Sequence, residues 1–366
     1  MRRTPALIVG GGPAGAAVAI GLARAGLPHL LVERQRETGD ALCGGFLSWR
    51  TLGSLTTLGI DPDRLNPMSV TQVRLFAGDR RAGAMLPRPA RSVSRRRLDS
   101  VLLAASEAAG ARIERGVSVR AIEGLAARTA DGATIEADAL FLASGKRDVR
   151  GLARPTDARG TDPTLGLRLR LPPSRALAAA LDGTIELHLF PGGYAGLALQ
   201  EDGSANLCLA VHESRFRTAD GPAALLALLG DENPVLGERM ALADGGTVEA
   251  IANVPYGWRQ RGGSAGLFRL GDQAGVIPSL AGEGMGIALA SGIAAAAAYR
   301  RGGSGAAAGW QRAFEGRLRR PLAAAGLVRT IVESRAAPAA LALAFPGLIA
   351  IIARATRIAH DRDAPT

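Results

Sequence analysis

The chain has 366 residues, enough to bury a large core in two domains or in one with large insertions, and its hydrophobic fraction of 47% and charged fraction of 21% are those of an ordinary globular protein. Its formal net charge is +11, yet Lys146 is the only lysine, and the dense arginine groups at 95–97 and 317–320 carry no interleaved aromatics. That pattern reflects codon bias, so no nucleic-acid partner is expected, while attraction to anionic lipid or an acidic partner stays open. Cys43 and Cys208 are far apart in sequence and form no metal-ligand spacing, which predicts reduced thiols in a cytoplasmic protein and no metal. Met1-Arg2-Arg3 before an apolar run imitates a signal peptide, but glycines punctuate the run. No stretch reaches the roughly 18 uninterrupted apolar residues of a membrane span.

Ala6-Leu7-Ile8-Val9 reads as a buried parallel strand because nothing polar interrupts it. Gly10-Gly11-Gly12-Pro13-Ala14-Gly15 then turns into a helix over about 14–25. Gly10 permits the tight turn, Gly12 lets backbone N–H groups approach a pyrophosphate, and Gly15 lets helix and strand pack closely. The helix aims its positive end at the phosphates. A second strand over 29–32 delivers Glu33, whose carboxylate can accept from a ribose diol. Strand, glycine turn, helix and closing acid together predict a dinucleotide site.

Cys43-Gly44-Gly45 permits close approach of backbone to something large and flat. A short helix is expected over 49–58, strands over 70–77 and 82–86, and a helix over 97–109 ending at Gly110. Alternating runs at 117–122, 126–130 and 134–137 turn at Asp131-Gly132, a strong hairpin signal. A separate buried strand follows over 139–143, ending in Ser144-Gly145-Lys146. Strands at 165–171, 184–190, 194–200 and 205–211 suggest an antiparallel sheet laid over the nucleotide domain. The expected fold class is α/β: a Rossmann-like domain (1–75, 95–160, 256–300), an antiparallel substrate domain (76–94, 161–255) and a C-terminal helical region (301–366).

A strand over 267–270 ends in Gly271-Asp272, placing a carboxylate on the ligand side of an open α/β sheet. Gly282-Glu283-Gly284-Met285-Gly286 then opens a helix to about 299 and offers a second positive helix end. Two such devices predict one long ligand gripped at both ends. A dinucleotide with a redox ring fits, because a reduced flavin carries negative charge near its pyrimidine edge.

The fingerprint, Cys-Gly-Gly, Arg95-x-x-Leu98-Asp99, Gly-Asp and Ala-Gly-Glu-Gly-Met segments together resemble the geranylgeranyl-reductase-like flavoproteins, within the flavoprotein hydroxylase (p-hydroxybenzoate hydroxylase-like) superfamily. The resemblance covers about residues 5–300 and implies bound FAD. It implies Gly10, Gly12, Gly15 and Glu33 at the ADP half, Arg95 near the phosphates or ribityl, and Asp272 on the ribityl or pyrophosphate. Gly282, Gly284, Met285 and Gly286 would line the isoalloxazine, with Cys43, Gly44 and Gly45 beside the ring. Pro13, Ala14, Arg34, Val119, Gly145, Gly271 and Pro278 complete the candidate cofactor set. The reductases' P-x-x-Y-x-W-x-F-P motif is only half kept: Pro191 and Tyr194 match, but Gly196, Ala198 and Leu199 replace the bulky residues. That implies a reshaped, roomier pocket and withdraws a specific prenyl substrate. Ser144-Gly145 and Gly275 stand where the hydroxylases carry their Asp-Gly and His landmarks, and the halogenase W-x-W-x-I-P signature is missing from the sequence.

The candidate proton donors are Tyr194, His188 and Cys43. Alternation puts Glu186, His188 and Phe190 on one strand face, and His188 is a candidate acid if that face looks toward the flavin. His29, His212 and His360 are read as structural. The apolar stretch 339–353, broken at Pro346-Gly347 and followed by Arg354 and Arg357, fits either membrane-surface docking or packing over the substrate domain. The sequence thus points to an FAD-dependent oxidoreductase acting on a hydrophobic lipid-, isoprenoid- or polyketide-like molecule. C=C reduction is the reaction the resemblance implies, with NAD(P)H or another reductant as donor. An aromatic hydroxylase and a non-catalytic flavin-binding partner are the alternatives.

Overall fold

Two sheets organise the chain in a computed structural model that describes residues 2–242, 247–342 and 346–358. β1 (Arg2–Val9) runs through the glycine turn into α1 (Pro13–Arg24), and β2 (Leu30–Glu33) returns parallel to β1, with Leu7 beside Leu30. β3 (Phe46–Leu47) and α2 (Trp49–Thr57) follow, the helix capped by Ser48, whose side chain accepts from the Thr51 N–H. β4 (Val70–Ala77) and β5 (Arg80–Ser92) form a hairpin, then α3 (Arg95–Ala108) starts at its Ser94 cap. β6 (Arg112–Arg115) pairs with β2 at the sheet edge. Only Ile113 gives it an aliphatic character, so no strand signal stands out there.

β7 (Val119–Glu123) and β8 (Ala126–Thr129) lead into β9 (Thr134–Leu142). β9 is one strand where the sequence suggested two. Asp138 does not break it, because its side chain points to solvent and pairs with Arg3 at 2.8 Å. β9 runs parallel to β1 from Ile135 to Leu142. The first sheet has the order β6-β2-β1-β9-β8-β7.

The second sheet takes β10 (Thr164–Leu171), then α4 (Arg175–Leu181), β11 (Thr184–Phe190), β12 (Gly193–Leu199) and β13 (Ala205–His212). After α5 (Glu213–Phe216), α6 (Gly221–Glu232) and α7 (Pro234–Met240) comes β14 (Glu249–Val254). Its order is β14-β10-β13-β12-β11-β4-β5-β3. The sheet is mixed rather than wholly antiparallel: β11 lies parallel to β4, which arrives from the first hundred residues. The boundary expected at residue 75 therefore falls inside β4. Leucines of β10, β12 and β13 pack under α4, α6 and α7 on one face and leave the other face for a cavity.

β15 (Leu267–Arg269) adds to the first sheet beside β9. α8 (Gly284–Gly302) then crosses α1 so closely that a Cβ on Gly292 would lie 2.4 Å from the Ala14 carbonyl. α9 (Ala307–Val332) is followed by α10 (Ala337–Ala342) and α11 (Pro346–Ala355), which lie across β4 and β5. Residues 343–345 of the apolar C-terminal stretch, and His360, lie outside the described residues.

Candidate active site

The carboxyl ends of β1, β2, β9 and β15 converge on one edge, as expected where a parallel sheet meets its ligand. Gly10 holds a φ of +106°, and a Cβ on Gly15 would sit 1.9 Å from the Gly10 carbonyl, so this turn admits only glycine at both places. The N-terminus of α1 has neither a side-chain cap nor an acid in its first turn. Its free N–H groups face an anion site. Above it lies Arg95: a Cβ on Gly12 would meet only the Arg95 guanidinium, at 3.4 Å. Asp99 holds that guanidinium through Nε at 3.0 Å and Nη2 at 2.7 Å, and this partner keeps the arginine charged despite its burial. Burial in turn pushes the Asp99 carboxyl up, against the pull of Arg95.

Glu33 closes the loop. Its carboxylate accepts from the Gly11 N–H at 2.7 Å and the Gln35 N–H at 2.9 Å. Ionised carboxylate has about four lone-pair sites, so two remain for a ribose diol. Arg34 is exposed beside it.

The second half of the site is a cavity of about 440 Å³ between the two sheets. Pro13, Ala14, Arg95, Gly145, Lys146, Gly271 and Asp272 line its polar end, and Cys43, Gly44, Gly45, Gly282, Gly284 and Met285 flank it. A Cβ on Gly44 or on Gly284 would meet nothing within 4 Å, leaving open space beside both loops. Aliphatic residues of β4, β5 and β11 (Val73, Leu75, Leu86, Ile185, Leu187 and Leu189) and of α9–α11 make the rest apolar. Gly196 and Ala198, the replacements on β12, are both cavity residues.

These residues fit FAD. The uncapped α1 terminus with Arg95 suits a pyrophosphate, Glu33 suits the adenosine ribose, and the vacancies at Gly44 and Gly284 suit a flat ring. When bound, FAD supplies two-electron redox chemistry at that ring.

Some candidate residues lie elsewhere. His188 is a correction: β11 turns Ile185, Leu187 and Leu189 to the cavity, so His188 faces away, fully buried and stacked on Phe76 at 4.8 Å. It sits 3.5 Å from Glu186, whose carboxylate Arg239 also holds. Val119 is a core residue of the first sheet and does not line the cavity. Gly286 faces α2, where a Cβ would strike Thr51 and Glu283, and Pro278 is buried next to the cavity-lining Ile277. His29 is buried, with Nδ1 against the Leu27 carbonyl.

Tyr194 does reach the cavity. Its hydroxyl is buried beside Ser279 and Tyr256, and burial pushes its pKa well up. The Cys43 carbonyl is pinned from the second sheet, accepting from Asn206 Nδ2 at 2.8 Å and Cys208 Sγ at 3.2 Å. Burial pushes the Cys208 thiol up to about 12, so it stays protonated and able to donate.

Two cavity residues and one residue that braces the cavity loops were not singled out in the sequence. Lys146 lines the cavity, and its ammonium has no hydrogen bond or ion pair among the described residues; Asp272 pulls its pKa up against desolvation. Tyr256 stands near Tyr194 with its hydroxyl on Ser279. Arg154 ties the two ligand loops, donating to the Asp272 carbonyl at 3.0 Å and to the Lys146 carbonyl while pairing with Asp148 at 2.9 Å. A solitary lysine in an arginine-rich chain was the one available hint.

Residues 3–151 match the family described as FAD binding domain. The menaquinone reductase of Mycolicibacterium smegmatis is 27% identical over 319 residues, 82% of this chain and 77% of that protein. A geranylgeranyl bacteriochlorophyll reductase-like protein from Thermoplasma acidophilum superposes with a TM-score of 0.72 at 19% identity, over 98% of this chain and 94% of that one. A probable FAD-dependent monooxygenase from Pseudomonas aeruginosa gives 0.71 at 16%, over 94% and 100%. Residues 3–151 make the chain a flavoprotein, and its fold is that of these flavin-dependent proteins. It is an FAD-dependent oxidoreductase.

Proposed function

We propose that the protein reduces a carbon–carbon double bond in a hydrophobic, isoprenoid-like lipid. The observation that carries this reading is the aliphatic cavity continuing from the flavin loops to α9–α11. The similarity to a menaquinone reductase supports it, since that relative's named substrate is a lipid. Bound FAD would supply the hydride, and NAD(P)H or another reductant would reload it. Tyr194, buried and protonated on the cavity wall, would give the proton to the second carbon. Where the substrate carries a carbonyl conjugated with the double bond, the Lys146 ammonium would hold the carbonyl oxygen as it gathers negative charge. An aromatic hydroxylase is the second reading, favoured by the likeness of the fold to a probable monooxygenase.

Anaerobic single turnover of the photoreduced enzyme with menaquinone, and then with free polyisoprenoid lipids, separates the two. The expected result is flavin reoxidation without oxygen, coupled to a product that stays two hydrogens heavier after its quinone ring is reoxidised in air. A product that forms only with oxygen and carries one atom from ¹⁸O₂ would establish the hydroxylase instead.

A further inference from the structure

α11 is an apolar helix in which no residue is buried. Ile351 is 59% exposed, and Leu348 is exposed one turn before it. On the last turns of α9, Leu327 is 66% exposed and Ile331 follows at i+4, while Met85 of β5 is 63% exposed. α11 packs on both β5 and α9, so these five side chains belong to neighbouring elements. Ile331 and Leu348 also line the cavity. Being exposed and cavity-lining at once, they mark its mouth.

Each stripe ends in a positive charge. Arg335 lies in the turn just past the end of α9, and Arg354 lies three residues beyond Ile351 on α11; both are exposed, with no ion pair among the described residues. Aliphatic side chains ending in unpaired arginines complement acyl chains beneath anionic headgroups. A second copy of a chain carrying +11 would bring like charges together here. Among the described residues no helix is long and apolar enough to cross a membrane, so the contact is with a surface. We propose that this rim, formed by α9, α11 and β5, docks on an anionic lipid bilayer with the cavity mouth turned toward the lipid. The partner follows from the surface alone and does not depend on which reaction the flavin performs.

Cosedimentation of the FAD-loaded protein with vesicles tests this, using phosphatidylcholine alone and phosphatidylcholine containing phosphatidylglycerol. Binding is expected to the phosphatidylglycerol vesicles, weakening with salt. The Leu327→Asp/Ile351→Asp variant, at sites outside the cavity, should partition at least about tenfold less, and Arg335→Glu/Arg354→Glu should lose the anionic preference by a similar factor. Unchanged flavin absorbance and thermal midpoint would certify both variants as folded, and the salt dependence of the wild type stands without them. Wild-type protein that stays in solution with both vesicle types would overturn the proposal. So would variants that bind as the wild type does, or a wild-type dimer that Ile351→Asp splits, which would make a second copy the occupant.

Discussion

Glu33 shows how one carboxylate serves both fold and ligand. Two of its acceptor sites hold the Gly11 and Gln35 N–H groups, which fixes the glycine loop against the end of β2. The remaining two are free for a ribose. Glu33→Ala should therefore weaken FAD by about 1.5–3 kcal/mol, the range for a hydrogen bond to a charged group. Flavin fluorescence titration measures it, and unchanged affinity would remove Glu33 from the site. Glu33 was legible because spacing along the chain defines it: a strand, a glycine turn, a helix and a closing acid. Lys146 and Tyr256 were not legible, since their roles arise where distant loops meet across a cavity. His188 fails for a different reason. Alternation identifies two faces of β11 but cannot say which one meets the cavity, and α7 claims the His188 side through Arg239.

At the scale of elements, the C-terminal strap reaches back into the flavin site. After α11 the chain places Arg357 over the rings of Trp49 and Phe46, with Nη1 3.3 Å from the Glu283 carboxylate. Glu283 is fully buried in the glycine loop that opens α8 and also accepts from Ser48 Oγ at 2.9 Å. Burial raises its pKa and lowers that of Arg357, so each charge depends on the other. Arg357→Met would strand the carboxylate, at a cost of about 3–5 kcal/mol. The thermal midpoint should fall accordingly, and Arg357→Met/Glu283→Gln should recover much of the loss. An additive double variant would show that the pair is not coupled. The βαβ unit, the α8 glycine cluster and most strands of the second sheet were readable from local pattern. The strap's seat on β5, the parallel β4–β11 pairing and the Arg154 tie depend on partners 70 or more residues away, and no periodicity encodes such partners.

For the molecule as a whole, His212 sits at the joint between the second sheet and the C-terminal helices. Its Nε2 lies 2.8 Å from Glu333 at the end of α9, and its Nδ1 lies 3.0 Å from Asp162 ahead of β10. Glu333 raises the His212 pKa, chiefly by hydrogen bonding, against burial and the opposing charge of Arg329. A histidine whose folded pKa exceeds its unfolded value of about 6.5 contributes stability that is complete below that pH. The contribution disappears as pH rises through the folded value. Asp162 has the opposite sign: its pKa is lowered, so its share is lost as pH falls below the ordinary carboxylate range. Between about pH 5 and 6.5 both are charged and the joint is at its strongest. His212→Gln should lower the thermal midpoint most in that window, and the gap to the wild type should narrow steadily toward pH 9. Melting curves of the FAD-loaded proteins across this range measure the gap directly. A gap that stays constant from pH 5.5 to 9 would mean that His212 holds the joint as a neutral hydrogen-bonding group, with no proton taken up on folding.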